Sequence, residues 1–143
     1  MNIAPMTIED AKELSDLDQL CFAVPWSEKS FCEEANNPLA TYFVAREDEK
    51  IVGYGGIWNV SGEGQITNIA VHPDMRKRGI ASEILRALIK SAKSCEKIFL
   101  EVRESNTAAI CLYEKYGFKR CGVRKNFYHS PVENGIVMMR EEM

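Results

Sequence analysis

Hydrophobic positions along the chain change period several times, and each change marks an element. Ile8, Ala11, Leu14, Leu17 and Leu20 or Cys21 recur at helical spacing behind Thr7, a capping residue followed by the acidic Glu9 and Asp10, so a helix is predicted over 8–21. Pro25-Trp26-Ser27 breaks it, and Ser27 caps a second, short helix through Phe31 and Cys32 that Asn36-Asn37-Pro38 closes. Residues 41–45 and 51–60, around the turn Glu47-Asp48-Glu49-Lys50, are rich in β-branched and aromatic residues. The loop Ser61-Gly62-Glu63-Gly64 then leads into 65–71, which completes a three-stranded meander. From Ala81 the period returns to 3.6: Ala81, Ile84, Leu85, Leu88, Ile89 and Ala92 share one face, which fits a helix packed on the sheet. A strand over 97–103, a helix over 107–116, a turn at Gly117 and strands near 118–128 and 135–140 follow. With a weak first strand at 2–6 the order is β-α-α-β-β-β-α-β-α-β-β, an α+β mixed sheet with helices on both faces.

At 143 residues the chain suits one domain, 1–143, which buries roughly 68–70% of its unfolded surface and needs no staples. No linker, repeat or low-complexity run interrupts it. The start, MNIAPMTIED, lacks a basic n-region and no apolar run is long enough to span a bilayer, so a cytoplasmic protein without a membrane partner is expected. The five cysteines are odd in number and widely spaced, and are expected to be reduced and mostly buried; with only His72 and His129 beside them, no metal site is expected. Charge divides by region: residues 1–50 hold 11 acidic and 4 basic residues, net −7, and residues 51–143 hold 10 acidic and 14 basic, net +4. This suits a basic half that meets a phosphate-bearing ligand and an acidic half that meets a basic one. The acidic total, −3, speaks against a nucleic-acid partner.

The stretch from Ile66 to Ile89 carries the clearest chemistry. A strand passes through His72-Pro73-Asp74 into the basic loop Arg76-Lys77-Arg78 and enters a helix through Gly79. The free N–H groups and positive dipole end of a helix attract an anion, and a glycine admits one closely. The loop is neither a Walker A nor a G-x-G-x-x-G fingerprint, and an ordinary strand-to-helix turn with a solvated basic loop remains an equal reading. On the strand 97–103, Glu101 shares a face with Phe99 and Arg103, opposite Ile98, Leu100 and Val102. It is read either as a proton acceptor or as a half-exposed strand glutamate. Asn106 suits a cap for the following helix, on which Ala109, Leu112, Tyr113 and Tyr116 share one face. Cys111 has no histidine placed to activate it, which argues against a nucleophile.

Together these segments resemble the GCN5-related N-acetyltransferase (GNAT) superfamily. Its acetyl-CoA loop, Gln/Arg-x-x-Gly-x-Gly/Ala, is matched by Arg76-Lys77-Arg78-Gly79-Ile80-Ala81. Asn68-Ile69-Ala70-Val71-His72-Pro73, Leu100-Glu101-Val102-Arg103-Glu104-Ser105-Asn106 and Leu112-Tyr113-Glu114-Lys115-Tyr116-Gly117-Phe118 follow in the family's order, over nearly the whole chain. Within the superfamily, Pro25-Trp26-Ser27, the Leu-Glu-Val-Arg run and Arg124-x-Asn126-Phe127-Tyr128 look most like the ribosomal-protein-alanine N-acetyltransferases of the RimI group. The resemblance implies the GNAT fold and acetyl-CoA as co-substrate, without a metal. It implies that Lys77, Arg78, Gly79, Ile80, Ala81 and Ser82 hold the pyrophosphate. Ile69, Ala70 and Val71 would offer strand backbone to the pantetheine and acetyl carbonyl, and Asn106 would touch the pantetheine. Glu101 resembles the general base and Tyr113 the general acid.

The implied acceptor is the α-amine of a protein N-terminus, the N-terminal alanine of small-subunit ribosomal protein number eighteen, whose first residues are basic. Trp26, Glu28 and Tyr128 would contact it, with the acidic Glu28, Glu33 and Glu34 as a complement; for Trp26 plain packing is an equal reading. Phe127-Tyr128 stands where the family usually has Tyr-Tyr, and Glu133-Asn134-Gly135 replaces a more typical Glu-Asp-Ala, so peptide choice stays open. Rival readings are a GNAT enzyme acting on another peptide, a lysine or a small amine, a non-catalytic acetyl-CoA-binding module, and an RNA-binding module. The sequence does not fix the oligomeric state.

Overall fold

Seven strands form one sheet in the computed structural model, which describes residues 1–141. In chain order they are β1 (Asn2–Pro5), β2 (Ala40–Glu47), β3 (Lys50–Val60), β4 (Glu63–Val71), β5 (Lys97–Arg103), β6 (Lys119–His129) and β7 (Val132–Glu141). Their spatial order is β1-β2-β3-β4-β5-β7-β6, antiparallel except between β4 and β5. The helices are α1 (Ala11–Cys21), α2 (Glu28–Ala35), α3 (Ile80–Ser91) and α4 (Thr107–Lys115). The α+β mixed sheet and its element order are therefore those read from the periodicities. None of these helices is long and apolar enough to cross a membrane.

Local chemistry sets the helix ends. Ser27 accepts from the Ser30 N–H at 3.1 Å and starts α2; Asn106 accepts from the Ala109 N–H at 3.2 Å and starts α4. At the first helix the Asp10 carboxylate reaches back to the Thr7 N–H at 2.9 Å and also pairs with Arg46 on β2. This tightens residues Ile8–Asp10 into a 3₁₀ turn, so α1 proper begins at Ala11, three residues after the expected start.

Helices cover both faces, each over its own core. On one face α3 buries Ile80, Ile84, Leu85 and Leu88, and α4 buries Ile110 and Tyr113, against Ile98, Leu100, Ile136 and Met138. Ile110 is deeper than the expected neighbours Ala109, Leu112 and Tyr116, which flank the core half-buried. A Cβ on Gly55 of β3 would stand 2.5 Å from Ile84 Cγ2, so only glycine allows α3 to sit this close. On the other face Leu14 and Leu17 of α1 and Phe31 of α2 pack on Tyr42, Val44 and Tyr54.

The one parallel pairing is short. β4 and β5 are in register only from Glu63–Gln65 against Lys97–Phe99, although β4 continues to Val71 and β5 to Arg103. The cause lies one strand away: Gly56 pairs with Asn68 and Ile57 with Ile66, so Thr67 is an extra residue on β4. Such a bulge bends its strand. Here it turns β4 away from β5 just past the last paired residue and opens a wedge in the sheet.

The cysteines correct an expectation. All five are free, but only Cys95 is buried; Cys21 and Cys32 are half-buried, and Cys111 and Cys121 are exposed. Cys111 lies on the outward side of α4, and Cys121 on the edge strand β6, which pairs only with β7.

Candidate active site

A cavity of about 580 Å³ occupies the wedge. Ile66–Ile69 of β4 and Leu100–Arg103 of β5 form its floor, the α1–α2 loop with Trp26 forms one wall, and Asn106, Tyr113 and Phe127–Ser130 close it. Glu101, Asn106, Tyr113, Tyr128, Trp26 and Ile69, singled out separately along the chain, are thus brought to one space. Glu28 is not among them: it opens α2, exposed.

Glu101 points into the cavity because β5 alternates, with Leu100 and Val102 buried on its other face. Its side chain is 31% exposed, and Oε1 lies 3.3 Å from Arg124 Nε of β6. Tyr113 is nearly buried on α4 and edge-on to Phe118, with centroids 5.9 Å apart. Burial, with a smaller contribution from Tyr128, pushes its hydroxyl up to about 12, so it keeps its proton at neutral pH. Burial also raises Tyr128, and the Glu101 charge adds to this while Arg103 opposes it. Two proton-bearing phenols and one carboxylate therefore face a common space.

The ladder of β4 shows what the wedge offers a ligand. The His72 N–H donates to the Val52 carbonyl at 2.8 Å, and antiparallel pairs alternate between bonded and non-bonded positions. Ile69 and Val71 therefore turn their N–H and C=O groups away from β3, towards the gap, while Ala70 turns its own towards β3 and is itself core. The Val71 carbonyl is met by Arg76 Nε at 3.3 Å and Cys21 Sγ at 3.5 Å.

At the start of α3, Lys77 has φ +66° and Gly79 φ +80°, two left-handed residues in three. The first helical bond is Glu83 N–H to the Gly79 carbonyl at 3.1 Å, which leaves the N–H groups of Ile80, Ala81 and Ser82 without an intrahelical partner. No atom lies within 4 Å of where a Gly79 Cβ would be. The glycine is required by its backbone angle, not by packing. Arg78 is exposed and 3.7 Å from Glu47. The loop does not line the cavity itself.

A polar cluster went unread in the sequence. Asp18, fully buried on α1, accepts from the Tyr54 hydroxyl at 2.5 Å and the Trp26 N–H at 2.7 Å. Asn68 donates to the Tyr54 oxygen at 2.8 Å, Thr67 to Asn68 Oδ1 at 2.9 Å, and Thr67 and Tyr42 hydroxyls lie 2.8 Å apart. Tyr42 and the Trp58 indole N–H then donate to Glu34 Oε1 at 3.2 and 3.0 Å. Burial pushes the Asp18 carboxyl above its ordinary range, against the two bonds that pull it down. The cluster ties α1, α2 and the loop between them to β4 at the cavity floor. One signal was available: Asp18 is four residues from Leu14, and Glu34 three from Phe31, so both carboxylates fall on apolar helical faces. Glu34 is therefore turned inward and hydrogen-bonded, and is not part of an acidic surface as expected; Glu33 beside it is exposed. Trp26 packs on Phe31 at 5.4 Å and Tyr42 at 6.4 Å, as its packing reading expects, and one side of it also walls the cavity.

Residues 11–118 match the model of the acetyltransferase (GNAT) family. The chain is 36% identical, over 93% of its length and 90% of the relative's, to a Bacillus subtilis (strain 168) protein provisionally named as a [ribosomal protein bS18]-alanine N-acetyltransferase. It is 34% identical to the [ribosomal protein bS18]-alanine N-acetyltransferase of Escherichia coli (strain K12), over 95% of this chain and 94% of that one. The crystal structure of the ribosomal-protein-S18-alanine N-acetyltransferase from Escherichia coli superposes with a TM-score of 0.90 at 30% identity, covering 99% of this chain and 93% of that chain. A family match over most of the chain, on a sheet split where the site residues converge, means that the chain belongs to the GNAT acetyltransferase family and is an acetyl-CoA-dependent N-acetyltransferase.

Proposed function

We propose that this enzyme, working as one catalytic domain in the cytoplasm, transfers the acetyl group of acetyl-CoA to a protein N-terminal amine, that of the N-terminal alanine of ribosomal protein bS18. The observation that carries the acceptor is likeness to the Escherichia coli bS18-alanine enzyme over nearly the full length of both chains.

The backbone supports the donor end of this reading. The unpaired N–H groups of Ile80, Ala81 and Ser82, the left-handed turn at Lys77–Gly79 and the open space over Gly79 fit a pyrophosphate, with Lys77 and Arg78 adding positive charge. Ile69 offers its main-chain N–H and C=O, and Val71 its N–H, to the amide-bearing pantetheine arm as it enters the wedge, and Asn106 lies at the wedge wall.

An ammonium cannot attack a thioester, and an unperturbed α-amine titrates at about 7.7–8.0, so a carboxylate in the cavity has only one proton to remove. Glu101 takes that proton, directly or through a water. As the C–S bond breaks, the departing thiolate needs a proton, and Tyr113, which burial keeps protonated, supplies it. The amine attacks the thioester directly, and no residue is acylated. Trp26 and Tyr128 flank the approach of the acceptor.

The test is a panel of N-terminal peptides, including that of bS18, with lysine peptides and polyamines, followed by CoA release. Preference for the alanine-initiated bS18 peptide is expected; faster turnover of a small polyamine than of every peptide would end this reading.

A further inference from the structure

We propose that Arg103 is a positioning residue that sets the acceptor wall of the cavity, acting through Tyr128 and Glu133; this rests on the N-terminal acceptor reading above. Arg103 stands two residues beyond Glu101 on β5, so both side chains rise from the same face. Its Nη1 donates to the Pro131 carbonyl at 3.0 Å and to the Glu133 carboxylate at 3.2 Å, and its Nη2 donates to the Ser130 carbonyl at 3.2 Å. Its Cζ lies 4.4 Å from the centroid of the Tyr128 ring. Every one of these partners belongs to the β6–β7 hairpin end.

Glu133 extends the hold. Its other oxygen accepts from the Ser105 N–H at 2.5 Å, a bond that, with Arg103, keeps the carboxyl below its ordinary range, and the Glu104 N–H donates to the Asn134 carbonyl at 3.1 Å. The end of β5, the turn that leads to Asn106 and the hairpin that carries Tyr128 are thereby one hydrogen-bonded unit. The hairpin needs such a hold. β6 is an edge strand whose register with β7 is interrupted between Arg124 and Tyr128, where Asn126 takes φ +54°. A planar guanidinium serves three acceptors and a ring at once, which the single ammonium of a lysine cannot. Arg103 thus decides where Tyr128 stands relative to Glu101 and Tyr113 without touching the reacting atoms.

The experiment uses the full chain, acetyl-CoA and the amine that the unmodified enzyme acetylates best. Arg103→Ala is expected to raise the acceptor KM about tenfold with the acetyl-CoA KM held within about twofold, and Arg103→Lys to recover only part of the loss. In a Tyr128→Leu background, Arg103→Ala should add less than about twofold, because a residue that acts through Tyr128 has nothing left to position. Amide exchange at residues 127–130, 132 and 133 should quicken in Arg103→Ala whatever the acceptor. Equal increases in both KM values, a full Arg103 effect without Tyr128, or unchanged hairpin exchange would each overturn the proposal. If the preferred amine is not a protein N-terminus, the acceptor reading fails on that result alone, and the Arg103 cycle is then decided with the amine found.

Discussion

The Glu101 carboxylate lies 3.3 Å from the Arg124 guanidinium, although β5 and β6 do not pair with each other. β7 runs between them, and the two side chains meet across it. With 31% and 59% of the side chains exposed, solvent screens the pair, and such ion pairs contribute about 0–1 kcal/mol. Arg124 therefore orients the carboxylate more than it stabilises the fold, and leaves Glu101 accessible from the cavity.

Replacing the two partners should consequently have different signatures. Glu101→Gln is expected to lower kcat by about 10²–10⁴ with acetyl-CoA affinity retained, as calorimetry would show, because the amide cannot take the proton. Arg124→Gln should change unfolding free energy by less than about 1 kcal/mol. A Glu101→Gln enzyme of undiminished kcat would remove Glu101 from the chemistry.

Tyr113 makes a prediction in pH. The folded protein raises its hydroxyl from 10.0 to about 12, so the protonated form is favoured by folding; the associated stability is complete below about pH 10 and is lost as pH rises towards 12. In its proposed role as proton donor Tyr113 is thus intact throughout the range where an amine becomes reactive. The kcat profile should rise to a plateau and show no descending limb below pH 10 that belongs to Tyr113. Tyr113→Phe should lower that plateau by about 10²–10⁴ without moving the rising limb. A descending limb near 9 that vanishes in the phenylalanine enzyme would show a hydroxyl that titrates too early for this role.

What the chain reveals before folding, and what it hides, divides along the range of the interactions. The amphipathic face of α3 and the alternation around Glu101 are local periodicities, so they are legible, as are the caps Ser27 and Asn106. The wedge is not local: it depends on Thr67 having no partner opposite it on β3, a register fact with no one-strand signature. For Asp18 and Glu34 only the apolar helical face on which each falls is local; their donors Tyr54 and Trp58 lie on a strand 24 to 36 residues away, so the cluster itself is not legible. Arg103 has no local signature beyond sharing a strand face with Glu101, and its partners Ser130 and Pro131 lie 27 and 28 residues on.

Gly79 tests the donor end. Its φ of +80° strains any residue with a Cβ, yet the space around it is open within the protein. Gly79→Ala should therefore cost about 1–2 kcal/mol of stability through the backbone alone. If the loop cradles a pyrophosphate, the methyl group also meets the ligand, and acetyl-CoA KM should rise at least about tenfold with the acceptor KM little changed. Loss of stability with an unaltered acetyl-CoA KM would confine the glycine to a structural role.

The Asp18–Tyr54 bond joins stability to the site through a buried charge. Tyr54→Phe removes the donor at 2.5 Å from Asp18 and the acceptor that Asn68 uses at 2.8 Å, so a buried carboxyl and a half-buried amide each lose a partner, at about 1–3 kcal/mol. The sign of its pH dependence follows from Asp18. Burial raises this carboxyl above 3.8, so its contribution to stability is complete below that value and falls as pH rises through the higher folded value. The Tyr54 hydroxyl opposes the rise. Without it the ionised carboxylate is held at greater cost, and the destabilisation by Tyr54→Phe should be larger at pH 7 than at pH 4. Urea unfolding at the two pH values measures this, and an equal or smaller loss at pH 7 would mean that the hydroxyl does not support the charge. Because Asp18 also holds the Trp26 N–H at 2.7 Å, the same variant should raise the acceptor KM more than the acetyl-CoA KM. That outcome would link a buried carboxylate on α1 to the acceptor through the cavity wall that Trp26 forms.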